Sequence, residues 1–359
     1  MSAVRFQRVR ERMDELGVDA LCCSVGADLP WLTGYTAMPL ERLTMLVVPR
    51  NGDAVLVVPA LEAPRVDVRP EFTLRPWGES EDPIEIVASY LHGAKTIAID
   101  DRTWARFVLA LQGALLDTRV IPGNDVTAAL RAVKDSEEVA ALRRAASGID
   151  SVMEAVRATA FAGRTEADLA REIADQILAV GHERVNFVIV ASGPNAASPH
   201  HEPGARVIEP GDAVLVDIGG TMHSYCSDIT RMFSVGEPAA PVRDAYAVLA
   251  AAEEAGVQAG VVGVPCEAVD RAARQVIDAA GFGEYFVHRT GHGIGVEEHE
   301  DPYMVAGNGQ LIVAGNAFSV EPGIYIPGAF GMRLEDIVVA TDAGPQRLND
   351  APRDLAVVE

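Results

Sequence analysis

The sequence lacks the features that mark a membrane protein, a secreted protein or a zinc-ribbon protein. No stretch reaches the roughly 18 consecutive apolar residues of a membrane-spanning helix, and the charged N-terminal residues lack the apolar core of a signal peptide. Four cysteines occur among 359 residues, none in a C-x-x-C pair, so neither a zinc ribbon nor a redox motif is indicated. These absences predict a cytoplasmic protein in a reducing compartment.

Positive charge is also in short supply. The chain has 30 Lys and Arg residues against 52 Asp and Glu residues, which gives a formal net charge of −22. Nucleic-acid binding depends on clustered Lys and Arg, and anionic membrane surfaces attract basic segments. We therefore expect neither a nucleic acid nor a membrane as partner. Solubility explains most of the acidic excess, and bound cations explain a smaller part of it.

The length and the alternation of patterns predict two domains, because single domains usually have about 100–200 residues. Residues 1–125 alternate helix-like and strand-like segments, which predicts a small α/β domain. Two strand-like runs flank Asn51-Gly52, a hairpin turn signal. The boundary is predicted near residue 125, followed by a connecting helix.

Residues 126–359 are predicted to form an α+β domain with a mostly antiparallel sheet. A long helix begins at Asp135, and Glu138 follows three residues later as in a capping box. Strand-like, β-branched runs follow a second helix that ends at Gly181. Two further helices separate the strand groups.

Four acids occur where strands are predicted, and one histidine lies between them in a glycine-rich segment. Asp217, Asp228, Glu321 and Glu335 each follow or interrupt apolar residues, and His292 lies among glycines that let backbone come close. Burying a carboxylate is costly unless it is paired, protonated or bound to a metal. Each acid alone fits a salt bridge or a solvated strand end, but the set of five favours a metal site.

The charges of this set suit two divalent cations. Four carboxylates carry a charge of −4, which balances two divalent ions, and a neutral imidazole adds a nitrogen ligand. Oxygen-rich ligation favours Mn²⁺ over a metal that prefers thiolates, while Co²⁺, Fe²⁺ and Zn²⁺ stay open. We therefore expect two divalent metal ions per chain.

The segments around these residues resemble one known family. V-D-I-G-G, S-D-I-T-R, H-R-T-G-H-G-I-G, E-P-G-I-Y and R-L-E-D-I look like the prolidase (Xaa-Pro dipeptidase) and Xaa-Pro aminopeptidase branch of the M24 metallopeptidases. The resemblance implies a C-terminal pita-bread domain after a creatinase-type α/β domain, and a homodimer. It also implies hydrolysis of the bond preceding proline, in Xaa-Pro dipeptides or short peptides, by a hydroxide that bridges two metal ions.

The resemblance also assigns roles to single residues. It implies five metal ligands: Asp217, Asp228, His292, Glu321 and Glu335. It implies three catalytic residues, His200, His299 and Glu321, and two substrate-binding residues, His288 and Arg333.

Some positions depart from the family pattern. His201 adjoins His200, so the catalytic histidine is ambiguous by one residue. Tyr303 lies where some dipeptidases use an arginine, which leaves dipeptides and longer peptides open as substrates. Asp28 and Trp31 stand where the family often has Asn and Tyr. Arg333 fits a plain salt-bridge partner as well as a substrate contact.

Three other functions remain open at this stage. A creatinase-like hydrolase would cleave a C–N bond of a non-peptide amide, and a non-catalytic module would act through protein contacts. Relatives of both kinds tend to lose metal ligands, whereas all five positions are filled here. Removal of N-terminal methionine is the third alternative, and the additional N-terminal domain argues against it.

Overall fold

The computed structural model describes residues 2–359, and the chain divides into two compact units, Met1–Arg131 and Ala132–Glu359. The boundary predicted after residue 125 falls instead inside a helix of the first unit, Asn124–Arg131. Thr127 and Arg131 of this helix donate hydrogen bonds of 2.9 and 3.0 Å to the buried carboxylate of Asp28. These bonds keep the helix with the first unit, so the division comes six residues later than 125.

The first unit is built on one mixed sheet with the strand order β4-β3-β2-β1-β5-β6. Its strands are β1 (Ala20–Cys23), β2 (Met45–Pro49), β3 (Ala54–Pro59), β4 (Phe72–Trp77), β5 (Thr96–Ile99) and β6 (Arg119–Pro122). Its helices are α1 (Ser2–Leu16), α2 (Asp28–Thr33), α3 (Pro83–Tyr90), α4 (Ala105–Ala114) and α5 (Asn124–Arg131). Strands β2 and β3 form the antiparallel hairpin predicted around Asn51-Gly52. The apolar, β-branched runs bury this sheet, as expected for an α/β unit.

Four α-helices of the second unit lie where the sequence predicts helices. They are α6 (Ser136–Arg157), α7 (Glu166–Ala179), α8 (Ala240–Ala259) and α9 (Glu267–Ala279). The Asp135 carboxylate accepts from the Glu138 amide, and the Glu138 carboxylate accepts from the Asp135 amide. This capping box fixes the start of α6, as the sequence predicted.

The strands of the second unit form antiparallel sheets, apart from one short parallel pairing of β17 with β9. One sheet has the order β17-β9-β8-β7, with β7 (Arg184–Ser192), β8 (Ala213–Met222), β9 (Tyr225–Val235) and β17 (Ala356–Val358). A second has the order β11-β10-β12-β15-β16, with β10 (Gly291–Gly293), β11 (Glu300–Met304), β12 (Ala317–Val320), β15 (Asp336–Thr341) and β16 (Gly344–Arg347). A hairpin of β13 (Gly323–Ile326) and β14 (Phe330–Arg333) completes the set.

The core of the second unit lies between α6, α7 and the first of these sheets. Phe161 and Phe233 are buried there with ring centroids 5.1 Å apart, among Val, Ile and Leu side chains. This packing makes β8 and β9 a rigid base for the polar residues on them. None of the helices in residues 2–359 combines the length and apolar character needed to cross a lipid bilayer.

Candidate active site

A cavity of about 530 Å³ in the second unit gathers most of the polar residues that the sequence singled out. Its volume suits a small ligand, because such pockets usually measure roughly 300–1,000 Å³. Every predicted site residue lines it: His200, Asp217, Asp228, His288, His292, His299, Glu321, Arg333 and Glu335. The lining also includes Arg289, Glu298, Phe187, Ile189 and Pro199, which the sequence analysis did not assign to the site.

Strands β8 and β9 place two of the acids on one face of their sheet. In the antiparallel register Asp217 lies opposite Thr230, and Asp228 lies two residues before Thr230 on the same strand. Residues opposite each other, and residues two apart on a strand, point to the same face. The two carboxylates therefore share a face although eleven positions separate them in the sequence, since 228 − 217 = 11.

The two glutamates reach the same place from loops next to the second sheet. Glu335 precedes β15 and pairs with Thr230 in an isolated antiparallel bridge. The Thr230 hydroxyl donates to Glu335 Oε2 at 2.7 Å. Glu321 follows β12, and its Oε1 accepts from the Ser319 hydroxyl at 3.1 Å. Each glutamate keeps one oxygen on a neighbouring hydroxyl, which fixes its orientation.

The imidazole of His292 has a defined tautomer. Its Nδ1 lies 3.0 Å from the Gly293 carbonyl oxygen, which can only accept, so Nδ1 carries the proton. The lone pair of Nε2 then faces Glu321 Oε1 at 3.3 Å and Asp228 Oδ2 at 3.7 Å. Burial lowers the pKa of this imidazole to about 3, aided by the nearby charges of His299 and Arg289. A neutral imidazole whose second nitrogen is held by a carbonyl is the form that ligates metals.

The glycines beside His292 are required by close backbone contacts. A Cβ at Gly291 would overlap the carbonyl oxygen of Ser319, and one at Gly293 would overlap that of Asp301. Only glycine therefore lets β10 approach both neighbours. The imidazole is brought among the carboxylates by this close packing.

Three carboxylate oxygens in the cavity have no hydrogen-bond partner among the described residues: Asp217 Oδ1, Asp228 Oδ1 and Glu335 Oε1. Their residues are only 6%, 3% and 2% exposed. Asp228, His292 and Glu335 each offer a ligand atom, and these atoms lie within 4.8 Å of one another. Unpaired acceptors crowded in this way fit positive ions between them, because buried charges otherwise need partners.

Burial and the neighbouring carboxylates shift the pKa values of Asp228 and Glu321. Burial, together with Glu335, Asp217 and Glu321, raises the pKa of Asp228 well above its usual range. Burial raises the pKa of Glu321 to about 7, with Arg333 opposing the shift and Asp217 adding to it. Ionising all of these carboxylates together is therefore unfavourable unless positive charge compensates them.

Arg333 and His288 belong to one chain of hydrogen bonds along the cavity wall. Arg333 forms a short ion pair with Asp217 and donates through Nη1 to the Tyr325 hydroxyl at 2.7 Å. The Tyr325 hydroxyl lies 2.9 Å from His288 Nε2, while His288 Nδ1 donates to the Arg289 carbonyl at 2.7 Å. Burial and the Arg333 charge lower the pKa of His288 to about 4. Both ring nitrogens of His288 are therefore already engaged within the chain.

The two adjacent histidines after Pro199 have different environments. His201 lies with Nε2 2.8 Å from Glu166 Oε2, whereas the exposed His200 lines the cavity. The buried carboxylate of Glu166 also accepts from the amide and hydroxyl of Ser192 at 2.8 and 2.6 Å, and from Asn195. Glu166, which the sequence analysis did not notice, thus holds both ends of the segment that carries His200.

The imidazole ring of His299 packs against that of His292, a candidate metal ligand. Its ring centroid is 3.9 Å from that of His292, with an interplanar angle of 42°. Its other side remains open to solvent. The cavity therefore offers two exposed imidazoles, His200 and His299, next to the carboxylate cluster.

Residues 140–342 match the metallopeptidase family M24, and residues 5–133 match the creatinase/prolidase N-terminal domain. The chain belongs to metallopeptidase family M24. It is 46% identical to the probable dipeptidase PepE of Mycobacterium tuberculosis strain H37Rv over 350 residues, which cover 96% of this chain and 93% of that protein. The fold expected from the resemblance, a pita-bread domain after a creatinase-type N-terminal domain, is confirmed.

Two solved structures show the same architecture. The recombinant prolidase of Thermococcus sibiricus superimposes with a TM-score of 0.94 at 35% identity, covering 99% of this chain and 98% of that chain. The Xaa-Pro dipeptidase of Bacillus anthracis gives a TM-score of 0.91 at 28% identity, with both chains covered completely. The prediction of a peptidase is therefore confirmed, and the non-catalytic alternative is set aside. M24 metallopeptidases use divalent metals, and Asp228, His292 and Glu335 form a group here that could hold a metal ion.

Proposed function

We propose that this M24 peptidase hydrolyses the peptide bond preceding proline in Xaa-Pro dipeptides or short Xaa-Pro peptides. The observation that carries the proposal is the convergence of four carboxylates and one neutral imidazole on a single cavity, with three carboxylate oxygens unpaired. The relatives named as prolidase and Xaa-Pro dipeptidase support the choice of proline substrates.

The residues that would hold two divalent cations are Asp217, Asp228, His292, Glu321 and Glu335. Four carboxylates balance the charge of two divalent ions, and their oxygen-rich donor set favours Mn²⁺. Bound cations of this kind act as Lewis acids on a carbonyl oxygen and lower the pKa of bound water.

The other site residues have roles that follow from their contacts. Arg333 holds Asp217 in place by an ion pair, and Thr230 orients Glu335. His200 and His299 face the cavity and would donate hydrogen bonds to the oxygen that becomes negatively charged. Loss of one such donor costs about 100- to 1000-fold in rate. Glu321 would take up the proton that the attacking water releases and pass it to the proline nitrogen as the C–N bond breaks.

Proline selectivity has a simple chemical basis in this proposal. The nitrogen of the scissile bond before proline carries no hydrogen. A substrate with proline after the scissile bond therefore has no N–H at this point that must find an acceptor on binding, whereas an ordinary peptide presents one. His288 would form the wall beside the proline ring, because its own nitrogens are already engaged.

Turnover of Ala-Pro, Ala-Pro-Ala and Ala-Ala with added Mn²⁺, before and after chelation, tests the proposal. We expect turnover of at least one proline peptide but not of Ala-Ala, and loss of activity on chelation that Mn²⁺ restores. Mass spectrometry of the metal content should give about two divalent ions per chain. Full metal occupancy without turnover of either proline peptide would refute the proposal and direct the search to a different C–N bond.

A further inference from the structure

The cavity is lined by two arginines, and only one of them is used by the chain itself. The guanidinium of Arg333 is committed to Asp217, Tyr325 and Thr230. The guanidinium of Arg289 makes no hydrogen bond or ion pair with any residue of the described range 2–359. It lies instead over the ring of Tyr303, 4.4 Å from the ring centroid. Arg289 is thus a half-buried cation with unused donors at the wall of the cavity.

The local backbone explains why Arg289 takes this position. Gly291 of β10 pairs with Met304 of β11, and the Thr290 amide donates to the Met304 carbonyl at 3.1 Å. Arg289 and Tyr303 lie on these two adjacent segments, and the Arg289 guanidinium stacks over the Tyr303 ring across them. A cation over an aromatic face is attracted by the ring and loses freedom. The stack therefore holds the guanidinium in a fixed orientation before any ligand arrives.

We infer that Arg289 binds the free carboxylate of a dipeptide substrate and thereby makes the enzyme prefer Xaa-Pro dipeptides to longer or C-terminally blocked peptides. The inference rests on the proposed function and adds the residue that would choose between its two substrate classes. In an Xaa-Pro dipeptide the carboxylate is on the proline itself. In a tripeptide it is replaced by a neutral amide and moves one residue, about 3.5 Å, further along.

The charges in the cavity favour this role. The lining carries five carboxylates: Asp217, Asp228, Glu298, Glu321 and Glu335. In the metal-loaded enzyme two divalent ions would balance the four acids of the cluster, so Glu298 is the remaining acid and Arg289 the cation with free donors that an anionic substrate group would meet. The planar guanidinium matches a carboxylate through two parallel hydrogen bonds, which a lysine cannot reproduce. Glu298 lines the same cavity, but it forms no ion pair with Arg289 among the described residues.

A comparison of two substrates with matched enzyme variants tests the inference. The substrates are Ala-Pro and Ala-Pro-amide, which differ only in the carboxylate, and the enzymes are the Mn²⁺-loaded wild type and Arg289→Gln. We expect the wild type to favour Ala-Pro by about 10- to 150-fold in kcat/KM, the range for one hydrogen-bonded charged group. Arg289→Gln should lower kcat/KM for Ala-Pro by a similar factor and change that for Ala-Pro-amide by less than about threefold.

Further variants separate recognition from structural effects. Arg289→Lys should recover only part of the preference, because it keeps the charge but not the planar pair of donors. Tyr303→Leu should lose part of it, because the guanidinium loses its stacking partner. Arg171→Gln, at a position whose side chain is 70% exposed, is the matched control and should behave as wild type. The metal content of every variant should equal that of the wild type.

The outcomes distinguish a failure of the role inferred for Arg289 from a failure of the proposed function. Equal losses on both substrates in Arg289→Gln would overturn the inference, because they indicate a structural role. Equal turnover of both substrates by the wild type would overturn it as well, while leaving the proposed function standing. A metal-loaded wild type that turns over neither substrate would refute the proposed function and the inference with it. Calorimetric binding of free proline and prolinamide to wild type and Arg289→Gln gives a readout that is independent of turnover, and only proline binding should weaken.

Discussion

Removing a single metal ligand should abolish most of the thermal stabilisation that Mn²⁺ gives the protein. The perturbation is Asp228→Asn, which takes away one of the three ligand atoms that lie within 4.8 Å of one another. Asparagine keeps the shape of the side chain and removes its charge. The prediction follows from the view that the carboxylate cluster is built for cations, and it does not depend on which peptide is cleaved.

The magnitude follows from binding linkage. A ligand present at 100 times its Kd stabilises the folded state by about 2.7 kcal/mol. The second unit, Ala132–Glu359, has 228 residues (359 − 132 + 1), and a domain of this size gains about 2–4 °C in Tm per kcal/mol. The wild type should therefore gain about 5–11 °C. If the variant binds 100-fold more weakly, the same Mn²⁺ concentration equals its Kd and adds only about 0.4 kcal/mol, or about 1–2 °C.

The assay is a thermal melt of protein freed of metal by a chelator and of protein loaded with Mn²⁺. The Kd for Mn²⁺ is measured by calorimetry. Metal-free Asp228→Asn should melt no lower than the metal-free wild type, because the variant removes a buried carboxylate that Glu335, Asp217 and Glu321 repel. Asp244→Asn is the control, because that carboxylate is 73% exposed. A wild type that gains no stability at 100 times its Kd would refute the reasoning, and so would a variant that keeps the full gain.

Three further outcomes can be measured on the same protein. Glu166→Gln should lower the free energy of unfolding by about 2–3 kcal/mol and reduce kcat with metal content unchanged, because a charged acceptor of His201 is lost; unchanged kcat would contradict this. Phe233→Ala should cost about 3–5 kcal/mol in urea unfolding, because a large cavity opens beside Phe161; a cost below 1 kcal/mol would argue against the packing. The cysteines should resist a thiol reagent at pH 8 until the protein unfolds, because all four are buried and burial raises the pKa of Cys22 to about 12; rapid labelling of native protein would contradict this.

The parts of the fold that were predicted are those with strong local patterns. The Asp135 capping box was predicted correctly because its two residues lie within one turn of the same helix. The domain boundary was misplaced because it depends on Asp28, which binds α5 from about 100 residues earlier in the chain. The short strand β17 pairs with β9 over a similar separation, so no local pattern could indicate it.

The candidate metal ligands were predictable because an acid within an apolar strand stands out in the sequence, and the family motifs agree. Arg289 did not stand out, although it lies inside the quoted H-R-T-G-H segment. Its position over Tyr303 depends on the pairing of β10 with β11, which only the fold shows. The sequence favours His200 over the adjacent His201 from its place after Pro199, but it gives no sign of the contact between His201 and Glu166, which depends on the fold.

The same crowding explains why the cluster should couple metal binding to folding. Arg333 is the single cation that contacts the acids directly in the described chain, through Asp217 and, at 3.9 Å, Glu321. With all five lining carboxylates ionised, Arg289 and Arg333 leave an excess of three negative charges in the cavity (5 − 2 = 3), and burying such charges without partners is costly. The chain therefore either protonates some of these acids or binds cations, and only the second choice leaves Asp228 and Glu335 as ligands at neutral pH. Stability and activity should for this reason rise together as divalent metal is added.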